Sequence, residues 1–183
     1  MKPRLVITGP TGTGKSTVAP LVAAQLKLPV IDLDAVIEER AGISISEIFA
    51  RDGEAQFRRL ERDAVSEAAA MSEVVIATGG GTVMESASFS GLARDALVVV
   101  LVCSASEAAR RLRDTAATRP LLAGDEAELA SRIEGIHALR SARHTAVGTA
   151  LDTTGLTPAE VADEIVSRYQ VYAASHVLST TTP

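Results

Sequence analysis

Gly9 to Thr17 read Gly-Pro-Thr-Gly-Thr-Gly-Lys-Ser-Thr, directly behind an apolar run at 4–8. Gly9, Gly14, Lys15 and Ser16 satisfy the pattern of a loop that cradles nucleotide phosphates between a strand and a helix. Such a loop must turn its backbone N–H groups toward phosphate oxygens, which calls for residues without a Cβ. The lysine supplies a point charge for the β- and γ-phosphates, the serine hydroxyl a ligand for Mg²⁺, and the following helix its unsatisfied N-terminal amides. Gly12, Thr13, Gly14, Lys15, Ser16 and Thr17 are therefore the expected nucleotide contacts, the plainer alternative being a glycine-rich turn before a helix.

Other residues have chemistry to offer further along. Asp32 and Asp34 follow a second apolar run, and their i,i+2 spacing starts both carboxylates on one side of an extended chain. One would suit a metal and the other a substrate; equally, they would cap the next helix. Gly79, Gly80 and Gly81 follow Val-Val-Ile-Ala-Thr, and at the end of a strand three glycines let a ligand approach the backbone closely. Arg58 and Glu61 lie three apart on a helical pattern. They read either as a surface pair or as a guanidinium held to receive a carboxylate. Arg119 sits in a glycine-, proline- and alanine-containing segment suited to a closing lid, from which an arginine neutralises a transferring phosphoryl group. His137, His144 and His176 show no metal-site pairing and are expected to be structural or exposed.

These residues need a frame. Strand-like runs fall at 5–8, 30–33, 74–78 and 97–102, with a weaker one at 149–152. They are continuous Val/Ile/Leu runs separated by helical patterns at 15–26, 34–41, 44–50, 53–71, 86–94, 105–113, 125–145 and 157–172. Continuous apolar strands alternating with helices indicate a parallel sheet covered on both faces, a three-layer α/β/α fold. Ligands of such sheets collect at the carboxyl ends of the strands, where the candidate residues fall. The helical pieces between the second and third strands exceed what a simple crossover needs and are expected to form a substrate-covering subregion.

At 183 residues, 46% hydrophobic and 22% charged, the chain suits one globular domain. No apolar stretch approaches the roughly 18 residues of a membrane span. A net charge of −5 argues against nucleic-acid and anionic-membrane partners, so an anionic ligand must be caught by local arginines. Met1-Lys2-Pro3 leads at once into the first strand, leaving no room for a signal peptide, and the single cysteine, Cys103, fits a reducing compartment as a buried apolar residue. The expectation is a cytoplasmic monomer.

Together, the Gly-Lys-Ser-Thr loop, Ile31-Asp32-Leu33-Asp34, Glu54-x-x-Phe57-Arg58-x-x-Glu61, Thr78-Gly79-Gly80-Gly81 and Arg119-Pro120-Leu121-Leu122 resemble the shikimate kinases. The stretch 32–61 looks especially like the actinobacterial members, and the likeness runs from about residue 5 to residue 169. The resemblance implies a P-loop kinase with a five-stranded parallel sheet that uses ATP and Mg²⁺ to phosphorylate the 3-hydroxyl of shikimate. It implies a single domain over 1–172, substrate-binding helices at about 33–61, a lid at about 113–124 and a loose tail at 173–183.

By the family's motifs, Asp34, Lys15 and Arg119 would be catalytic, with Asp34 accepting the hydroxyl proton. Ser16 and Asp32 would serve Mg²⁺. Arg58, Gly79, Gly80, Gly81 and Arg140 would hold shikimate, with Phe49 and Phe57 walling its ring, while Arg111 and the segment around Pro158 would cover the adenine. One departure stands out: Arg140 is followed by Ser141-Ala142-Arg143-His144, where the family usually continues through Pro-Leu-Tyr, and Arg143 becomes a rival carboxylate ligand. A kinase of another hydroxy acid such as gluconate, and a nucleotide-binding module without catalysis, remain the alternatives.

Overall fold

The computed structural model describes residues 2–113 and 129–180. Five strands, β1 (Arg4–Thr8), β2 (Val30–Asp32), β3 (Val75–Ala77), β4 (Ala96–Val102) and β5 (Thr149–Asp152), pair in parallel in the order β2-β3-β1-β4-β5. Seven helices are described: α1 (Lys15–Leu26), α2 (Leu33–Ala41), α3 (Ile45–Ala69), α4 (Ser86–Ala93), α5 (Ala105–Leu112), α6 (Leu129–Val147) and α7 (Pro158–Thr180). All five expected strands form, and the three-layer α/β arrangement is present.

Strand alternation explains why the runs had to be apolar throughout. Leu5, Ile7, Val99 and Leu101 point to one face, where they pack with Val18 and Val22 of α1 and Ile165 of α7. Val6, Ile76, Val98 and Val100 point to the other, against Ile37, Ile48 and Val65 from α2 and α3. Most residues of the inner strands β1, β3 and β4 are thus covered by a helix whichever way they face, whereas the edge strands β2 and β5 keep exposed positions. A smaller cluster, Ala108, Leu112, Leu129 and Ile133, joins α5 to α6.

The two expected helices, 44–50 and 53–71, follow one another within α3, which is broken at Gly53, a non-helical residue with φ 80° and ψ 172°. Its start is secured by a capping box in which Ser44 accepts the Glu47 N–H and the Glu47 carboxylate accepts the Ser44 N–H. Ile48 before the break and Phe57, Ala64, Val65 and Ala68 after it all join the apolar cluster on the Val6 and Ile76 face of the sheet.

The expected loose tail differs from what is found, since α7 runs on to Thr180, eight residues beyond the predicted end at 172. No glycine or proline interrupts 159–180, and Tyr169 anchors the helix by donating to the Pro3 carbonyl at 2.8 Å. Polar composition was a poor guide to a helix end that has no stop signal. Among the described residues no helix is long and apolar enough to cross a membrane.

Candidate active site

The phosphate-type loop leaves β1 at its carboxyl end and passes so close to β4 that a Cβ on Gly9 would lie 2.1 Å from the Leu101 carbonyl oxygen. Gly9 has a φ of 139°, and Gly14, the N-cap of α1, has 96°; among the described residues no side chain caps that helix start. The positive end of the α1 dipole thus faces the loop, and an anion is the chemistry that matches it. Lys15 is buried and donates to the carbonyls of Gly9 and Pro10, both at 2.7 Å, which holds its ammonium over the loop.

Two cavities flank this loop. One, of about 510 Å³, is lined by Gly12 to Val18 on its floor, with Arg110, Arg111, Leu156 and Pro158 at its far end. Arg111 is fixed there: it donates to Thr153 at 2.7 Å (carbonyl) and 2.9 Å (hydroxyl) and to Glu107 at 2.8 Å. Glu107, braced by Arg110 and Arg111, has a carboxyl held down to about 2 by those guanidinium bonds. Thr153 also touches the Thr13 and Val102 carbonyls, so it ties the phosphate loop to the end of β4. Sequence reasoning passed over Thr153, because a threonine after a short strand carries no local signal.

The second cavity, about 350 Å³, lies under the bent α3 and is lined by Asp32, Asp34, Phe49, Phe57, Arg58 and Arg140, among others, with Gly79 to Gly81 along one side. Thr11, Ser16, Asp34 and Gly80 line both cavities and mark where they meet. Phe49 and Phe57 form an aromatic wall with ring centroids 4.9 Å apart, and the Arg58 guanidinium sits 5.3 Å from the Phe57 ring centre.

Asp32 and Asp34 reach this cavity by a route other than strand alternation. Asp32 ends β2 and caps α2, accepting the Asp34 N–H at 3.0 Å, whereas Asp34 projects from the first turn of that helix. The capping alternative therefore holds for Asp32, and it coexists with a place in the cavity wall.

Arg58 is held from two sides, by Glu61 at 2.7 Å and Glu54 at 3.0 Å. Burial works against its charge, but these carboxylates together raise its pKa above the ordinary value. Glu61 is only 2% exposed and also accepts the Thr82 hydroxyl at 2.8 Å, which excludes a solvated surface pair. The alternation of apolar residues on α3 gave no sign that a glutamate would sit inside the stripe. Arg140 comes from α6 and donates to the Gly80 carbonyl at 3.0 Å; burial and the nearby Arg58 charge pull its pKa down. A Cβ on Gly81 would lie 3.1 Å from Arg58 and 3.7 Å from Arg140, so the two guanidiniums flank one glycine. Two like charges facing a half-buried space match an anionic ligand such as a carboxylate. Arg143 is exposed and lines neither cavity.

Among the histidines, His144 is buried with Nδ1 on the Arg140 carbonyl, and His176 stacks on Tyr172. His137 is half-buried and places Nε2 3.0 Å from the Thr11 carbonyl oxygen in the phosphate loop. Arg119, and the expected lid beyond Arg113, lie outside the described residues. No cluster of three or more His, Cys, Asp or Glu suited to a metal occurs among the described residues. A hydroxyl and a carboxylate, Ser16 and Asp32, fit a cation such as Mg²⁺, which keeps most of its shell as water and phosphate oxygen.

A parallel sheet with a phosphate loop at its central strand, opening onto a second cavity for a small acid, defines a P-loop kinase fold of the small-molecule type. The profile of the shikimate kinase family matches residues 11–170. The chain is 39% identical over 176 residues to the shikimate kinase of Mycobacterium tuberculosis H37Ra, covering 96% of this chain and 98% of that one. It is 37% identical over 166 residues to that of Thermodesulfovibrio yellowstonii, covering 91% and 94%. The structure of the shikimate kinase of Acinetobacter baumannii in complex with shikimate superposes with a TM-score of 0.86 at 25% identity, over 100% of this chain and 97% of that one. The chain belongs to the shikimate kinase family.

Proposed function

We propose that the chain transfers the γ-phosphoryl group of ATP to the 3-hydroxyl of shikimate in an Mg²⁺-dependent reaction. The observation that carries this reading is the meeting of the two cavities at Thr11, Ser16, Asp34 and Gly80, with the phosphate loop on one side and the Arg58–Arg140 pair on the other. Family membership supplies the acceptor, and the geometry of the second cavity suits it: a carboxylate for the arginines, a ring for the phenylalanines and a hydroxyl for Asp34.

In this reading the amides of Gly12 to Thr17 and the Lys15 ammonium take the phosphates, while Arg111 and Pro158 border the adenine. Ser16 and Asp32 would hold Mg²⁺, directly or through water, and the ion when bound neutralises charge on the phosphate oxygens. Asp34 stands at the junction, where it orients the acceptor hydroxyl and takes its proton. Arg119 is assigned to the lid, delivering positive charge as the phosphoryl group moves. Phosphoryl transfer through a loose transition state needs little covalent help, so alignment of the two substrates supplies most of the effect, up to roughly 7–11 kcal/mol. Base assistance by Asp34 adds about 10²- to 10⁴-fold. The protein is expected to act as a monomer, over one domain with its substrate-binding helices at about 33–61.

The test is ADP release with shikimate, quinate and gluconate as acceptors in the presence of Mg-ATP. Turnover with shikimate well above the other two is the expected result. Absence of shikimate-dependent ADP release would overturn the reading, and preference for gluconate would replace it with a sugar-acid kinase.

A further inference from the structure

Helix α6 is fastened to the two halves of the site at points one turn apart. Arg140 donates to the Gly80 carbonyl at 3.0 Å, and three residues earlier His137 places Nε2 3.0 Å from the carbonyl oxygen of Thr11 in the phosphate loop. A carbonyl only accepts, so Nε2 carries the proton and donates. Gly80 itself rests on the same loop: a Cβ there would be 3.2 Å from the Thr11 nitrogen and 3.6 Å from the Pro10 carbonyl carbon. Thr11 lines both cavities, whereas His137 lines neither. His137 thus stands behind the described cavity walls, yet it clamps the helix bearing Arg140 to the loop that takes the nucleotide.

We infer that His137 is a positioning residue that couples the nucleotide phosphate loop to the acid-binding arginine, so that filling one half of the site improves the other. The physical path is short and contiguous. Nucleotide phosphates fix the conformation of the loop at Thr11; through the His137 bond that fixes the register of α6; and α6 sets the height of Arg140 above Gly80. Without the bond, α6 keeps its apolar seat through Ile133 on Leu112 and Ala108 but loses its link to the loop. The inference rests on the proposed roles of the phosphate loop and of Arg140.

The experiment is calorimetric titration of shikimate into the full chain, alone and with saturating Mg-ADP, for wild type, His137→Ala and His137→Gln. In the wild type Mg-ADP is expected to tighten shikimate binding about fivefold or more. In His137→Ala this factor falls below about twofold, while the affinity for Mg-ADP measured alone changes less than about threefold. Glutamine, whose amide Nε2 has a similar reach, restores most of the factor, an outcome a purely packing role would not produce. His137→Asn, too short to reach Thr11, replaces the alanine variant if that one fails to fold. An alanine variant that retains the wild-type factor, a glutamine variant no better than alanine, or a wild type that binds shikimate without regard to Mg-ADP overturns the inference and leaves the proposed function standing. A wild type that binds no shikimate overturns both.

Discussion

Asp34 fills the space that a side chain on Gly79 would need: a Cβ on Gly79 would lie 2.6 Å from the Asp34 Oδ1 and 3.2 Å from the Thr82 hydroxyl. The carboxylate proposed to receive the acceptor proton is thus seated against bare backbone. Gly79→Ala must push it away, and a displacement near 1 Å costs on the order of 10²-fold in rate. The expected result in steady-state assays is kcat lowered about 10²-fold for Gly79→Ala and 10²- to 10⁴-fold for Asp34→Asn, with the Kd for Mg-ATP nearly unchanged in both. Gly91→Ala is the control: a Cβ there meets nothing within 4 Å in α4, so activity should hold and stability should rise slightly.

Glu61→Ala should cost the fold more than the loss of a helix-surface carboxylate would, because Glu61 is buried. The buried carboxylate joins Arg58 to Thr82, and its removal strands a guanidinium that keeps only the exposed partner Glu54. A loss of up to about 3 kcal/mol in unfolding free energy is expected, toward the lower end for broken buried pairs because Arg58 retains that second partner. The KM for shikimate should rise at least tenfold. Glu61→Gln, which preserves the shape and one bond, should fall between the alanine variant and wild type in both urea melts and KM.

Arg140 and Arg143 are separated by the fold. Arg140→Ala removes a charge-assisted bond of about 1.5–3 kcal/mol and is expected to raise the shikimate KM by roughly 10- to 100-fold. Arg143→Ala, on the exposed face, should change it less than about twofold. A larger effect at Arg143 would show that α6 presents a different face to the acid.

Acid should weaken the protein through His144. Its burial, with the Lys15 and Arg140 charges nearby, lowers its pKa to about 4 from the ordinary 6.5. Below pH 6.5 the unfolded chain therefore takes up a proton that the folded chain refuses, so stability drops as pH falls from about 6.5 toward 4 and levels off below. His144→Leu, which also removes a buried imidazole Nε2 with no hydrogen-bond partner among the described residues, should shrink the Tm difference between pH 7 and pH 5 by a few degrees. An unchanged difference would place the acid sensitivity elsewhere.

Much of this was legible from the chain itself. The Gly-Lys-Ser-Thr loop behind an apolar run, the continuous Val/Ile strands and the Asp34, Arg58 and glycine-triplet motifs are local patterns, and local patterns follow from backbone sterics and periodicity. They were sufficient for the parallel α/β class, all five strands and the family. What they lacked was any measure of distance between residues far apart in sequence. Whether Glu61 is solvated or buried depends on Thr82, 21 residues later, coming to rest over it. Whether Arg140 or Arg143 meets the acid depends on the rotation of α6 about its axis, which is set by Ile133 packing on α5 and by His137 gripping Thr11, 126 residues away. Sequence by itself determined which chemical groups are present and on which elements. The tertiary structure alone decided which of them share one small, half-buried space, because that choice is made by packing between elements and leaves no periodic trace along the chain.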